Sequence, residues 1–215
     1  MRRVGPTEGK RIVEAGYDVI AQRYLDWSPG RPSKPRLYWL ARALELIPAG
    51  SDVLELGCGA GVPMTQSLAV GRRVTGVDIS TTQIELARRN VPAATFIRSD
   101  MTEIDFPAES FDGVVAFYAI THVPRTLQPA LFERIRIWLR PGAVLVATLG
   151  ARDVDDEVED DWLGVPMFFS HYGTRRNRGI LRRAGLEVDE AVVWEEPEHR
   201  QAVPFLWVIA HAPAT

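Results

Sequence analysis

The fold is decided by the stretch VLELGCGAG, residues 53–61, in which four mostly apolar residues carry one glutamate and glycine then recurs at every second position. The apolar run predicts a buried strand over residues 52–56. Glycine at 57, 59 and 61 lets the chain turn tightly and lets a ligand approach the backbone without meeting Cβ atoms. Pro63 then opens a predicted helix, so the turn presents free backbone N–H groups at a helix N-terminus.

Strands and helices alternate on the carboxyl side of this turn. Short apolar runs predict buried parallel strands at 73–77, 94–97, 111–117 and 143–149, with helices at about 62–70, 81–90 and 128–139. Alternating units of this length predict a doubly wound α/β sheet. A helix over 174–184 and two antiparallel strands at 186–194 and 203–211 complete the chain.

Composition and charge limit the classes of protein to which the chain can belong. The chain has 215 residues, 46% of them hydrophobic, and a formal net charge of −3. This charge argues against a nucleic-acid or membrane-surface partner. The single cysteine, Cys58, excludes an internal disulfide and a cysteine metal cluster. No secretory leader and no apolar run of about 18 residues is evident, so we predict a single cytoplasmic domain, 1–215, that is a monomer or a homodimer.

The glycine spacing separates two ligand classes that use such a turn, the dinucleotides and the adenosyl-sulfonium cofactors. A dinucleotide fingerprint reads G-x-G-x-x-G, but here the third glycine comes one residue early and Val62 takes the expected place. Glu55 would repel phosphate groups, whereas it suits a ligand that carries an ammonium group. A tight structural turn without a ligand is the alternative explanation of the motif taken alone.

Two acids strengthen the ligand interpretation. Asp78 follows the second predicted strand, where a carboxylate can accept hydrogen bonds from a ribose diol. Asp100 follows the third, where it can accept from an adenine amino group while the Met101 backbone N–H reads a ring nitrogen. The glycine turn and both acids thus lie at three successive strand ends, the edge at which open α/β sheets bind ligands.

Five segments together resemble the small, single-domain class I S-adenosylmethionine-dependent methyltransferases: LELGCGAG, GVDIS, RSDMTEIDF, FDGVVAFYAITHVP and LRPGAVLVATLG. With an N-terminal Tyr17-Asp18…Ala21…Tyr24 pattern, the resemblance covers about residues 11–150. It implies a Rossmann-like seven-stranded sheet of order 3-2-1-4-5-7-6 with strand 7 antiparallel. It also implies S-adenosylmethionine as cofactor and S-adenosylhomocysteine as product, bound by Tyr17, Glu55, Gly57, Cys58, Gly59, Gly61, Asp78, Ile79, Gln83, Asp100, Met101 and Phe117.

The acceptor side is expected in two regions outside the sheet. Helices at about 11–27 and 36–46, separated by SPGRPSKP at 28–35, form a predicted helical cap over residues 1–48. An insertion at 150–172 is predicted to form part of the acceptor pocket. Its run of acids at 153–161 is interpreted as a solvated loop rather than a metal site, and no metal is expected. The arginines of 174–184 are interpreted as a solvated helix face rather than an RNA-binding patch.

Tyr24, His122 and His171 are the candidate catalytic residues, because histidine titrates near neutral pH and can remove a proton from oxygen or nitrogen. The structural alternative for His122 is that it caps the following helix or hydrogen-bonds its loop. Aromatic residues on the cap and the insertion favour a flat apolar acceptor. The predicted substrate-contacting residues are Tyr24, Tyr118, His122, Trp162, Phe168, Phe169 and His171.

The sequence therefore predicts methyl transfer to a small molecule, in the manner of bacterial enzymes of specialised-metabolite (natural product) biosynthesis. An aromatic or indole acceptor is favoured, and C-methylation of a tryptophan-derived cyclic dipeptide is one hypothesis. N- or O-methylation of another metabolite is equally open. Two rival classes are a nicotinamide-dependent oxidoreductase, which Val62, Glu55 and Asp100 disfavour, and a noncatalytic cofactor-binding protein.

Overall fold

The computed structural model describes residues 2–27, 34–197 and 202–214. Its helices are α1 (Pro6–Trp27), α2 (Lys34–Leu46), α3 (Met64–Leu68), α4 (Thr81–Asn90), α5 (Gln128–Trp138) and α6 (Thr174–Arg183), with a 3₁₀ turn at Ile120–His122. Its strands are β1 (Arg2–Arg3), β2 (Asp52–Leu56), β3 (Arg73–Asp78), β4 (Thr95–Arg98), β5 (Phe111–Ala116), β6 (Leu139–Gly150), β7 (Val154–Trp162), β8 (Val165–His171), β9 (Glu187–Pro197) and β10 (Ala202–His211).

Seven strands form one sheet in the order β4-β3-β2-β5-β6-β10-β9. The pairs β2 with β3, β3 with β4, β2 with β5 and β5 with β6 are parallel, whereas β10 runs antiparallel to both β6 and β9. Counted along this sheet alone, the order is 3-2-1-4-5-7-6. The predicted topology, including the reversed seventh strand, is confirmed.

Apolar side chains cover both faces of this sheet. On one face α5 buries Phe132, Ile135 and Trp138 against the strands. On the other, Trp39 of α2 stacks on Trp207 of β10, with ring centroids 5.5 Å apart and planes inclined by 7°. Strands buried on both faces explain why the sequence shows continuous apolar runs rather than strict alternation.

A second sheet, with the order β1-β7-β8, lies outside the seven-stranded one. The acidic run at 153–161, predicted as a solvated loop, forms most of β7, so that prediction is wrong. Val158 and Trp162 are its buried apolar residues. Asp155 forms ion pairs with Arg3, at 2.9 Å, and with Arg125, and these cations reduce the repulsion among neighbouring acids.

Helix α1 packs on β8 of the second sheet through glycines. A Cβ atom at Gly9 would lie 2.7–2.8 Å from ring atoms of Phe168, and one at Gly16 would lie 2.9 Å from Cε of Met167. Both Phe168 and Met167 are fully buried. The helix can therefore approach the strand this closely only because these two positions have no side chain.

The helices begin and end within a few residues of their predicted bounds. Helix α1 begins at Pro6 rather than at about residue 11, and α5 ends at Trp138, just before the predicted Arg-Pro-Gly stop. Residues 28–33 of the predicted break at 28–35 lie outside the described residues, and Lys34 and Pro35 already belong to α2. Among the described helices, none combines the length and apolar character that crossing a bilayer requires.

Gly9→Ala should destabilise the protein even though alanine has the higher helix propensity. The new methyl group overlaps a fully buried ring, which costs about 1–3 kcal/mol and outweighs a propensity gain of about 1 kcal/mol. Urea unfolding measures the difference. The matched control is Gly179→Ala in α6, where the nearest atom is the flexible tip of Arg183 at 3.3 Å, and which should gain stability. Equal gains in both variants would contradict the packing argument.

Candidate active site

A pocket opens at the carboxyl ends of β2, β3, β4 and β5, underneath α1. Its walls come from the glycine turn, the strand ends, the loop after β5 and the inner side of α1. The residues that line it are Lys10, Val13, Tyr17, Tyr24, Gly57, Gly59, Asp78, Ile79, Gln83, Ser99, Asp100, Met101, Thr102, Phe117, Tyr118, Ala119, His122, Val123 and Pro124.

The glycine turn has the backbone conformation that its composition predicts. Gly57, Gly59 and Gly61 all have positive φ angles, of 74°, 52° and 79°. At Gly57 a Cβ atom would lie 2.2 Å from Cβ of Ala119, so a larger residue there would collide with the loop after β5. The turn thus brings bare backbone to the pocket wall.

Asp78 fixes the turn to the end of β3. Its Oδ2 accepts a hydrogen bond from the Gly59 N–H at 2.8 Å, and its Oδ1 accepts one from the Ser80 N–H at 3.0 Å. Burial raises the pKa of Asp78 to about 6, although these amide hydrogen bonds oppose the shift. The carboxylate therefore has a fixed orientation beside the pocket, as a ribose-binding acid requires.

Gln83 provides the strongest sign that the pocket is built for a polar ligand. This side chain of α4 lines the pocket and is only 1% exposed, yet neither its Oε1 nor its Nε2 has a hydrogen-bond partner. A buried amide without partners costs free energy, so such groups are rare unless a ligand or water completes them. A nucleoside offers both a donor and an acceptor to this amide.

Asp100 lines the pocket just after β4, at the edge strand of the sheet next to β3. Its Oδ1 accepts from the N–H and Oγ1 of Thr102, at 2.7 and 2.8 Å, and its Oδ2 lies 2.7 Å from Nζ of Lys10. Lys10 also bonds Oγ1 of Thr102 at 2.7 Å. Sequence reasoning missed Lys10 and Thr102, because their place at the pocket follows from the docking of α1 and no local motif marks it.

Three polar residues spaced by four along α1 anchor the helix over the pocket. Lys10 bonds Asp100, and Glu14 forms an ion pair with Arg98 at the end of β4. Asp18 accepts hydrogen bonds at its Oδ1 from Oγ of Ser80, at 2.6 Å, and from the backbone N–H of Thr82, at 3.0 Å. The spacing places the three side chains on one face of the helix, and this face meets the strand ends.

His122 uses both ring nitrogens within the protein. Nδ1 lies 2.8 Å from the carbonyl oxygen of Phe168, which can only accept, so Nδ1 carries the proton. Nε2 then accepts from the hydroxyl of Tyr17 at 3.0 Å. Burial lowers the pKa of His122 to about 4, so the ring is neutral at neutral pH. The ring faces the pocket, but this geometry favours orienting Tyr17 over accepting a proton.

The other acceptor-side predictions divide into two groups. Tyr24 and Tyr118 line the pocket, whereas His171 does not: its Nδ1 bonds the carbonyl oxygen of Arg152 at 2.6 Å, and its imidazole packs on Gly150. The structure therefore does not bring His171 together with Tyr24 and His122 in the pocket.

Three of the residues predicted to contact the substrate do not line the pocket in the described structure, but pack behind residues that do or against α1. The Trp162 ring lies 5.8 Å from that of Tyr17, and the Phe169 ring lies 4.8 Å from that of His122. The Phe168 side chain packs against α1 at Gly9. These rings support the lining residues, and their direct contact with a substrate stays a prediction.

Three residues predicted to bind the cofactor do not line the pocket in the described structure, namely Glu55, Cys58 and Gly61. Glu55 is 4% exposed and accepts a hydrogen bond from Oγ1 of Thr65 at 2.5 Å. Burial raises the pKa of Glu55 to about 8, so its carboxyl is largely protonated near neutral pH. A contact from it to a ligand ammonium group stays a prediction.

Within the described ranges, no three His, Cys, Asp or Glu side chains converge on a common point as metal ligands would. The groups that are present fit S-adenosylmethionine: a bare backbone turn, carboxylates at two strand ends, the Met101 backbone and an unsatisfied buried amide. Nine of the residues that line the pocket are ones that the sequence predicts as cofactor-binding, namely Tyr17, Gly57, Gly59, Asp78, Ile79, Gln83, Asp100, Met101 and Phe117.

Comparisons with known proteins agree with this geometry. A family profile described as a methyltransferase domain matches residues 53–142. A probable S-adenosylmethionine-dependent methyltransferase of Mycolicibacterium smegmatis is 31% identical over 144 residues, which are 67% of this chain and 55% of that protein. A phosphatidylethanolamine N-methyltransferase of Cereibacter sphaeroides is 34% identical over 149 residues, 63% of this chain and 70% of that protein. The chain thus spans 55% of the length of the first relative and 70% of the length of the second.

A solved structure matches the fold along nearly its whole length. The 1,6-didemethyltoxoflavin-N1-methyltransferase of Burkholderia thailandensis, crystallised with 1,6-didemethyltoxoflavin and S-adenosylhomocysteine, superposes with a TM-score of 0.71. The match covers 99% of this chain and 92% of that one at 18% identity. At this identity the similarity concerns the fold.

The raised pKa of Glu55 predicts a pH-dependent stability. The folded pKa of about 8 exceeds the unfolded value of 4.5, so the folded state binds the extra proton between these limits. The free energy of unfolding of the ligand-free protein should therefore fall as pH rises from about 5 to 8, by at least about 1 kcal/mol. Glu55→Gln should flatten this part of the profile in thermal melts. Glu85→Gln, at an exposed position of α4, is the control and should leave the slope unchanged; an unchanged slope in Glu55→Gln would refute the assignment.

The confirmed strand order, the glycine turn with its acids at the next two strand ends, and the similarity to the relative of which this chain covers 70% all lead to one assignment. The chain belongs to the class I S-adenosylmethionine-dependent methyltransferases.

Proposed function

We propose that this protein transfers the methyl group of S-adenosylmethionine to a small aromatic acceptor that carries an N–H or O–H group. The observation that carries the proposal is the division of the pocket into two ends. One end has Asp78, Gln83 and Asp100, which suit a nucleoside, and the other has the rings of Tyr24 and Tyr118. An aromatic wall with a few polar groups suits a flat, mostly apolar ligand.

Bound S-adenosylmethionine supplies a methyl group on a positively charged sulfur, which makes the sulfur a good leaving group. The protein then has to position the acceptor and exclude water, which can account for roughly 7–11 kcal/mol of the barrier. Helix α1 serves both needs, because Val13, Tyr17 and Tyr24 line the pocket and its polar anchors tie it to the strand ends. A helix that covers the pocket in this way supports a small acceptor over a polymer.

Replacing Gln83 with methionine should affect cofactor binding and stability in opposite directions. Loss of two ligand hydrogen bonds should weaken S-adenosylhomocysteine binding about 10–100-fold, since each bond contributes roughly 0.5–1.5 kcal/mol. Removing a buried, unsatisfied amide should at the same time raise the stability of the ligand-free protein by about 1–2 kcal/mol.

Isothermal calorimetry measures the affinity, and urea unfolding measures the stability. Gln66→Met, at an exposed position of α3, is the matched control for side-chain chemistry. A merely structural role of Gln83 predicts a loss of stability with unchanged affinity, and this outcome would remove Gln83 from the binding site.

Turnover tests the proposed function directly. The purified chain is incubated with S-adenosylmethionine and a panel of indoles, phenols, azoles and a tryptophan-containing cyclic dipeptide, and S-adenosylhomocysteine release is measured by mass spectrometry. We expect saturable release with at least one aromatic N–H or O–H compound, and the mass and position of the new methyl group identify the attacked atom. A calorimetric titration with a nicotinamide dinucleotide should give no heat. Tight binding of S-adenosylhomocysteine without turnover of any aromatic compound would overturn the proposed acceptor class.

A further inference from the structure

A buried polar group lies at the aromatic end of the pocket, on the side away from Asp100. The hydroxyl of Tyr118 donates to the carboxylate of Glu196, with its oxygen 2.6 and 2.7 Å from Oε1 and Oε2. Glu196 belongs to β9 and is only 4% exposed. Its partner Tyr118, by contrast, lines the pocket.

Arg36 of α2 supplies a positive charge to the same group. Its guanidinium lies over the Tyr118 ring, 4.5 Å from the centroid. Tyr118 therefore has a cation over its ring, while its hydroxyl donates to a carboxylate. This arrangement stabilises negative charge on the phenol oxygen while its proton moves to the carboxylate.

The backbone of Tyr118 is in an unfavourable conformation that serves this placement. Its φ angle is +59°, in the left-handed region that large side chains rarely adopt. The ring is fixed between Phe205 and Trp207 of β10, with centroids 5.3 and 5.4 Å away. Strain of this kind persists only where the surroundings enforce it, and it concentrates at functional sites.

The other pocket residues are less able to accept a proton from the acceptor. Both ring nitrogens of His122 are bonded within the protein, and Lys10 already pairs with Asp100 at the nucleoside end. Asp78 is oriented by backbone amides beside the ribose position. Tyr118 is the lining residue whose hydroxyl leads on to a buried carboxylate.

We propose that Tyr118 is the catalytic proton acceptor of the methyl transfer and that Glu196 is the positioning residue that receives the tyrosine proton. This step rests on the proposed function. The bond from sulfur to the methyl carbon breaks with its electron pair on sulfur, and the acceptor nitrogen or oxygen forms the new bond to the methyl group. The proton of the acceptor passes to Oη of Tyr118, and the hydroxyl proton of Tyr118 passes to Glu196. Arg36 stabilises the charge that develops on Oη.

The test compares Tyr118→Phe and Glu196→Gln with the wild type, using the aromatic compound of the panel that the wild type methylates fastest. Each variant should lose about 10²–10⁴-fold in kcat, the range of general base catalysis, with KM and S-adenosylhomocysteine affinity within about threefold of wild type. With a phenol as the acceptor, raising the pH until the phenol itself ionises should restore most of the lost rate. A merely structural role would not give this pH-dependent rescue.

Tyr38→Phe and Glu195→Gln, the same changes at exposed positions nearby, are the matched controls and should keep wild-type rates. Tyr118→Phe keeps the ring that packs on β10, so it remains decisive even if Glu196→Gln fails to fold, which circular dichroism would reveal. Wild-type kcat in a folded Tyr118→Phe, or methylation at an atom that loses no proton, would overturn the relay alone. Binding of S-adenosylhomocysteine without any turnover by the wild type would instead overturn the proposed function, and the relay with it.

Discussion

The carboxylate of Asp78 makes the interaction on which the site depends. It joins the glycine turn after β2 to the start of α4 by accepting from the amides of Gly59 and Ser80. Ser80 in turn caps α4 and donates from its hydroxyl to Asp18 of α1. One buried acid thus links the sheet edge, the ligand wall and the covering helix, and burial raises its pKa to about 6 because little water reaches it.

The seven-stranded sheet could be predicted because each of its strands is marked by a pattern in its own stretch of sequence. Buried parallel strands appear as continuous apolar runs, and Pro and Gly separate them from the helices. The second sheet was missed for the opposite reason. In β7 the apolar residues Val154, Val158 and Trp162 are four apart and separated by acids, a spacing that shows no strand alternation. What stabilises the strand is pairing with β1 and β8 and ion pairs to distant arginines, none of which the sequence reveals.

The two ends of the pocket also differ in how far local sequence predicts them. The nucleoside end consists of strand-end motifs, so Asp78, Asp100 and Met101 could be identified from the chain alone. The aromatic end is assembled from α1, α2, the loop after β5 and β9. Arg36 and Glu196 have no distinguishing sequence context, and their importance appears only once Tyr118 is placed between them. His171 is the opposite case. Its position in the insertion predicts a catalytic residue, but its ring packs on Gly150.

The contact between α1 and β8 has a consequence for the order of events during synthesis. Residues 6–27 leave the ribosome before the strand that receives Gly9 and Gly16, which ends only at His171. Contacts of such high sequence separation form late and slow folding. The apolar face of the nascent helix therefore stays uncovered until β8 has been synthesised. The helix covers the pocket only late in folding.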